Sequence, residues 1–344
     1  MKRKYLFVLV LIISSFIYSQ KATTLKPLIQ PKNIHVDADR IYITDYPEIH
    51  IYSITDYKLL KTFGRKGQGP GEFFLATELP DTKEDGLQIV VKPGYILVNS
   101  QGRISFFTKD GIFEKMKKFH AFAFASRFFP IGDGFVAFKP ERENNDKIFY
   151  SVNIYDSNLK KIKEIYRHPF FMPKRKGEIH YFAREGLLYT VYDDKLFITN
   201  SGMDELIIHV FDNTGKKLHV ITGDYEKIKI TGTQIKQYRE GFKYKFKRGL
   251  DVILKRTVFP EYFPAIRHFN VSDGKVYVMT FKKVAGKSEV QIFDLKGTLL
   301  EKTMIPIKEK NSKRFFPYDI KKGILYQLVE NEDEEWELHV TKIH

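Results

Sequence analysis

One pattern recurs six times along the 344-residue chain. Each copy begins with an extended apolar run and a turn. Alternating aliphatic or aromatic residues follow, and after them comes an Asp, or a residue that replaces it, with Lys or Gly. A second alternating run ends the copy. The copies lie at 49–56, 104–111, 152–160, 208–216, 290–297 and 337–342. A recurrence of roughly 40 to 60 residues, built only from strand and turn signals, is typical of a β-propeller. Six copies predict six blades.

Each blade of a propeller is a four-stranded antiparallel sheet that runs outward from a central channel. The turn signals divide the chain into blades at 32–73, 87–119, 127–167, 180–230, 266–307 and 318–343. The last segment supplies only three strands, and residues 24–29 form a spare extended segment before the first blade. We therefore expect the N- and C-terminal strands to pair, to complete the sixth blade and to close the ring.

The stretch 233–256 breaks the β pattern. Its apolar residues Ile235, Tyr238, Phe242 and Phe246 follow one another at spacings of three and four residues, which is helical periodicity. The stretch is also strongly basic. We expect a short helical insertion between blades four and five that lies across one face of an otherwise all-β six-bladed propeller.

The N-terminus has the features of a signal peptide spanning 1–19. The basic residues Lys2, Arg3 and Lys4 precede an apolar run at 6–18, which is too short to cross a bilayer comfortably, and the small residue Ser19 follows. The mature chain would be one propeller domain, 20–344, with no transmembrane span. Ile17 suits the cleavage site poorly, so retention of the leader as an anchor stays an alternative. We expect an exported protein, periplasmic or secreted.

Cysteine and charge limit the partners. The sequence has no cysteine, so the protein cannot be a lipoprotein and no disulfide supports its core. Its net charge is +15, because 57 lysines and arginines face 42 acidic residues; loss of the three leader cations leaves +12. This charge favours anionic partners, although a generally lysine-rich composition would also explain it. Export argues against nucleic acid, and a cell-envelope protein is a candidate partner.

Residues 63–73 form the sharpest local motif, Phe-Gly-Arg-Lys-Gly-Gln-Gly-Pro-Gly-Glu-Phe. It resembles the Gly-x-x-Gly-x-Gly-Pro-Gly-Glu-Phe signature of six-bladed propellers related to NHL repeats, and among these the exported bacterial members. The resemblance implies the fold, export and a binding role. The loop itself has two interpretations. It is a connector between blades, or its N–H groups, together with Arg65, Lys66 and Glu72, form an anion-binding loop.

A second candidate site comes from alignment of the blades on their first turns. Cationic and titratable residues then stand at the entrance of the innermost strand in several blades. We expect a ligand-binding channel mouth formed by Lys32, Arg127, His180, Arg184, Arg267 and His268. Arginine and histidine suit a carboxylate, phosphate or sulfate, although the same groups could instead bond neighbouring blades. The expected function is recognition of an anionic small molecule, peptide or glycan at one face of the ring.

An enzymatic alternative rests on His180 and His268. Channel histidines could serve as general bases of a lyase or a lactone hydrolase. Such a site would also need a metal and paired carboxylates, and the innermost strands supply mainly Asp37 and Asp319. Motifs for dinucleotide binding, zinc proteolysis and a nucleophilic serine are missing from the sequence. We therefore expect no metal site and no cofactor.

Overall fold

The computed structural model describes residues 21–74, 87–119, 127–143, 147–169, 180–181, 186–200, 202, 204–245, 255, 257–310 and 315–343. The first strand is β1 (Lys21–Thr24). Blade one consists of β2 (Asn33–Val36), β3 (Arg40–Asp45), β4 (Glu48–Ser53) and β5 (Leu59–Phe63). Blade two consists of β6 (Gln88–Lys92), β7 (Tyr95–Ser100), β8 (Arg103–Phe107) and β9 (Phe113–Lys118). Blade three consists of β10 (Arg127–Ile131), β11 (Gly134–Glu143), β12 (Lys147–Tyr155) and β13 (Lys161–Pro169).

The second half of the chain repeats this order with two additions. A short strand, β14 (His180–Tyr181), precedes blade four, which consists of β15 (Leu187–Tyr192), β16 (Lys195–Asn200), β17 (Leu206–Asp212) and β18 (Lys217–Gly223). The helix α1 (Gly232–Lys245) and the strand β19 (Thr257–Val258) follow. Blade five consists of β20 (His268–Ser272), β21 (Lys275–Val284), β22 (Lys287–Asp294) and β23 (Leu299–Ile305). The last strands are β24 (Tyr318–Lys321), β25 (Ile324–Glu330) and β26 (Trp336–Lys342).

The six sheets form a closed six-bladed propeller. Each sheet is antiparallel and has four strands in sequence order, except that the sixth has the order β1-β26-β25-β24. The innermost strands β2, β6, β10, β15, β20 and β24 each contact the innermost strands of both neighbouring blades. These strands all begin at the face that carries the connectors between blades, which we call the connector face. The predicted fold class is confirmed.

The core lies between the blades. Alternate residues of a strand point to opposite faces of a sheet, so each blade packs against two neighbours. In β3, Ile41 and Ile43 pack towards blade six, whereas Tyr42 packs towards blade two. Each of the six blade interfaces holds its own cluster of buried apolar side chains. The ring is therefore held by apolar burial between neighbouring blades.

The two ends close the ring as predicted, but with a different stretch of chain. β1 pairs antiparallel with β26, with Lys21 opposite Val340 and Thr24 opposite Glu337. The predicted strand at 24–29 is wrong because the chain leaves the sheet after Leu25, whose N–H donates to the carbonyl of Trp336 over 2.8 Å. Pro27 has no N–H to donate to a sheet, and its position opposes a continued strand.

The predicted start of blade four at residue 180 is also wrong. His180 and Tyr181 do form a strand, but β14 pairs in parallel with β19 in a separate two-stranded sheet. The innermost strand of blade four is β15, which pairs with β16. The β14–β19 pair thus joins the connector before blade four to the connector before blade five, on the connector face.

The predicted helix is confirmed over α1, between blades four and five. Thr231 and Gln234 form a capping box: the Gln234 N–H donates to Thr231 Oγ1 over 3.3 Å, and the Thr231 N–H donates to Gln234 Oε1 over 2.9 Å. Ile235 and Tyr238 pack against the buried Ile230 and Phe263, and Phe263 stacks on Phe281 of β21, so the helix packs against blade five. Residues 246–254 and 256 of the predicted span lie outside the described residues.

Candidate functional site

Strand register places the innermost residues of all blades in layers. The reference position in each blade is the residue that pairs with the first residue of the second strand: Asp37, Lys92, Ile131, Tyr192, Ser272 and Lys321. Four residues earlier lies the mouth layer, formed by Asn33, Gln88, Arg127, Leu188, His268 and Pro317. Two residues earlier lies the middle layer, formed by His35, Val90, Phe129, Thr190, Asn270 and Asp319. The mouth layer faces the connector face.

The register places four of the predicted channel-mouth residues in or next to the mouth layer. Arg127 and His268 stand in the mouth layer, and Lys32 and Arg267 stand one residue before it in blades one and five. Blade four differs, because Leu188 takes the place that the alignment gave to His180. His180 lies on β14 instead, and Arg184 lies outside the described residues. The structure therefore brings Lys32, Arg127, Arg267 and His268 to one mouth.

Arg127 reaches across a blade interface. Its Nη1 donates to Gln88 Oε1 over 3.1 Å, which joins the mouth-layer residues of blades two and three. On the other side of Gln88, Asn33 Nδ2 donates to the carbonyl of Leu87 over 3.1 Å. Lys32 is half-buried next to Asn33, and its N–H donates to the carbonyl of Thr44 over 2.9 Å. One arc of the mouth is therefore a chain of amide and cationic groups.

Arg267 makes contacts within the protein that stabilise the fold. It is buried, its guanidinium forms an ion pair with Glu309, and it stacks 3.9 Å from the ring centre of Phe315. Lys283 forms a second ion pair with Glu309. Burial lowers the pKa of Arg267, whereas Glu309 opposes that shift. Glu309 thus compensates the Arg267 charge within the fold.

His268 contacts the hydroxyl of Tyr318 in the next blade through Nδ1, and the two rings meet edge to face at 5.4 Å. Burial raises the pKa of Tyr318, so this hydroxyl keeps its proton and donates it to Nδ1. His268 therefore meets a phenol and not a carboxylate at this contact.

The middle layer contains a polar contact that the sequence did not reveal. Asp319 accepts hydrogen bonds from the N–H groups of Val36 and Ile320 and from Asn270 Nδ2, each over 2.8 Å. His35 Nδ1 lies 3.7 Å from Asp319 Oδ2. Residues of blades five, six and one therefore meet at a single carboxylate. An alignment two residues deeper than the mouth would have found the three side chains, but not their contacts.

His35 lies in the middle layer, below the mouth, and its side chain is nevertheless accessible to solvent. Burial lowers its pKa, and the neighbouring Asp319 opposes the shift only in part, so the imidazole is neutral at neutral pH. Yet 38% of its side chain remains accessible, compared with 13% for Asp319. A residue on an innermost strand can reach solvent in this way only from the channel. The His35 side chain is therefore part of the channel wall.

The loop at 63–73 folds around its own carboxylate. Glu72 Oε2 accepts the N–H of Gly69 over 2.7 Å, and Arg65 Nε donates to Glu72 Oε1 over 2.8 Å. These two contacts, with Gly69 the larger, lower the pKa of Glu72. A side chain at Gly67 would collide with the same carboxylate. Lys66 forms a backbone bridge with Phe73. Glu72 thus stands where an external anion would have to bind.

Within the described ranges, no three His, Asp or Glu side chains lie together as a metal would require. None of the helices in these ranges combines the length and the apolar character needed to cross a membrane.

Comparisons with known proteins give only distant structural matches. No protein-family model and no curated protein matches the sequence. Solved structures with a similar course of the chain include Kluyveromyces lactis Hsv2 with its complete loop 6CD, at 10% identity and a TM-score of 0.42 over 87% of this chain and 70% of that chain. The WD40 domain of Toxoplasma gondii coronin gives 10% identity and a TM-score of 0.41 over 91% of this chain and 69% of that chain. Similarity this low carries no assignment of function.

Proposed function

We propose that this protein is an exported recognition module that binds an anionic small molecule, peptide or glycan at the connector face. The observation that carries the proposal is the register of the innermost strands, which gathers Lys32, Arg127 and His268 at one mouth of the channel. The basic net charge of +15 favours the approach of such a ligand. The expectation of export rests on the leader at 1–19, and a propeller serves well as a binding scaffold.

Arg127 and Lys32 are the residues to test. Arg127 is half-buried at the mouth, where its guanidinium can offer two parallel N–H groups to a carboxylate or phosphate. Arg267, by contrast, is compensated by Glu309 and packed on Phe315. Its removal would destabilise the fold and confuse a binding measurement.

A thermal-shift screen of phosphate, sulfate, sugar acids and acidic peptides tests the proposal. A ligand at 100 times its dissociation constant stabilises the folded state by about 2.7 kcal/mol, which raises the melting temperature by several degrees. We expect the combined variant Arg127→Gln and Lys32→Gln to lose this shift.

The matched control is the pair Lys58→Gln and Lys296→Gln, which removes the same charge from two exposed side chains. Both lie in turns between the third and fourth strands of a blade, at the face opposite the mouth. The control should keep the full shift. Equal loss in both variants would show that net charge, and not the mouth, attracts the ligand. An unchanged shift in the Arg127 and Lys32 variant would place the site elsewhere.

The lyase or lactone hydrolase remains the alternative function, with His268 and His180 as its bases. The contact of His268 with Tyr318 favours binding over this alternative, because a general base of this kind would be oriented by a carboxylate. The His180 contribution stays a prediction.

A further inference from the structure

The middle layer of the channel has a polar half and an apolar half. His35, Asp319, Asn270 and Thr190 occupy the same position in four consecutive blades: one, six, five and four. Val90 and Phe129 occupy it in blades two and three. Strands rise about 3.3 Å per residue, so this layer lies roughly 7 Å below the mouth layer. A ligand held at the mouth can therefore touch both layers.

Asp319 fixes the orientation of Asn270 and lies next to His35. An ionised carboxylate only accepts hydrogen bonds, so Asn270 must turn its NH₂ group towards Asp319, and its Oδ1 points elsewhere. His35 Nδ1 lies 3.7 Å from Asp319 Oδ2, beyond hydrogen-bond distance, and a neutral imidazole always has one ring nitrogen that can accept. The N–H groups of Val36 and Ile320 hold the carboxylate in place. Two side chains can thus accept hydrogen bonds.

Neither acceptor is used by the described part of the protein. Within the described ranges, His35 Nε2 and Asn270 Oδ1 have no hydrogen-bond partner, and the His35 side chain is accessible from the channel. Acceptors on a neutral imidazole and an amide suit hydroxyl groups, which can donate to both. The half-buried Val90 on the apolar side suits the C–H surface of a small ring, whereas Phe129 is buried between blades three and four.

We propose that the channel binds a small sugar acid, with its carboxylate at Arg127 and Lys32 in the mouth and its hydroxyl groups on His35 and Asn270 in the middle layer. This inference rests on the proposed anion site and adds the class of ligand. A plain anion would use the mouth alone. A neutral sugar would use the middle layer alone and would lack the charged contact.

Three probes separate the two layers: D-glucuronate, cyclohexanecarboxylate and D-glucose. Glucuronate has the charge and the hydroxyl groups, cyclohexanecarboxylate has a six-membered ring with the charge only, and glucose has the hydroxyl groups only. We expect calorimetry on the mature protein to rank glucuronate first, with cyclohexanecarboxylate weaker and glucose weakest. A net hydrogen bond contributes about a factor of five in affinity, so His35→Ala should weaken glucuronate about fivefold and leave cyclohexanecarboxylate unchanged.

Asn270→Ala provides a second variant in case His35→Ala does not fold, and the same selective loss is expected. The control is His219→Ala on β18, a histidine outside the channel whose Nε2 contacts the carbonyl of Leu295, which should leave both affinities unchanged. Equal affinity of the wild-type protein for both acids, or equal loss of both in the variants, would overturn hydroxyl recognition. If phosphate or sulfate binds through Arg127 but neither acid does, the sugar-acid inference is wrong and anion binding stands. If no anion binds, the proposed function itself fails.

Discussion

At the scale of single residues, charge in this protein serves two purposes that look alike in the sequence. Lys32-Asn33 and Arg267-His268 stand at equivalent places in blades one and five. Only the structure shows that Arg267 is 8% exposed and compensated by Glu309, whereas Lys32 remains half-buried at the mouth. The difference arises because Glu309, in the connector after blade five, lies 42 positions from Arg267. No local pattern predicts that contact.

Loss of Arg267 should therefore destabilise the fold more than it affects binding. Arg267→Ala leaves Glu309 without its buried partner, which costs about 3 kcal/mol in the free energy of unfolding. Lys283→Ala removes the other partner of Glu309, but that side chain is 45% exposed, so the expected cost stays below about 1 kcal/mol. Urea denaturation of both variants measures this difference. Similar costs would show that the Arg267 ion pair contributes no more than an exposed one.

At the scale of elements, the segment after β1 fastens blade six to blade one. The Asp45 carboxylate accepts the N–H groups of Ile29 and Gln30 over 2.6 and 2.8 Å. Trp336 Nε1 donates to the carbonyl of Ile29 over 3.0 Å, and Leu25 is buried in the cluster between the two blades. The closure thus combines β pairing, side-chain hydrogen bonds to the backbone of the segment and the burial of one apolar side chain.

Two aliphatic residues of this segment form a matched pair. Leu25 is 3% exposed and Ile29 is 78% exposed. We expect Leu25→Ala to lower the free energy of unfolding by roughly 3 kcal/mol, since it removes packing and leaves a cavity. Ile29→Ala should change it by less than about 0.5 kcal/mol. Equal melting temperatures of the two variants would mean that the segment does not help to close the ring.

Elements that are set by residues close by in the sequence were predictable, whereas elements that depend on partners far along the chain were not. The turn signals predict the register of the innermost strand in five blades, because each turn directly follows that strand. The sequence predicts His180 and Tyr181 as part of blade four. It does not reveal their partners, Thr257 and Val258, because these lie 77 residues further along the chain. The contact of His35 with Asp319 was hidden for the same reason, since the two residues meet only when the ring closes.

At the scale of the whole molecule, buried histidines link stability to pH. Burial is the main cause that lowers the pKa of His35, His50, His168, His209 and His339. The folded state therefore prefers their neutral form. Unfolded histidine titrates near pH 6.5, so this stabilisation is complete above that pH and is lost as the pH falls through the lower folded values.

The melting temperature should thus fall steadily between about pH 7 and pH 5. His209→Phe removes one such group, whose ring lies 6.1 Å from that of Tyr166, and should make the fall less steep. Thermal unfolding at half-unit steps of pH for the wild type and this variant measures the change. A melting temperature that rises on acidification over this range would contradict the expected linkage.

The pairing of β1 with β26 also governs the order of events in biosynthesis. Five blades form from contiguous stretches of a growing chain, but the sixth joins residues as far apart as Ile29 and Trp336, which are separated by 307 positions. The ring cannot close until β26 has been synthesised and can pair with β1. A chain cut short before Trp336 would leave two unpaired sheet edges, and such edges are the part of a β-protein most prone to aggregation.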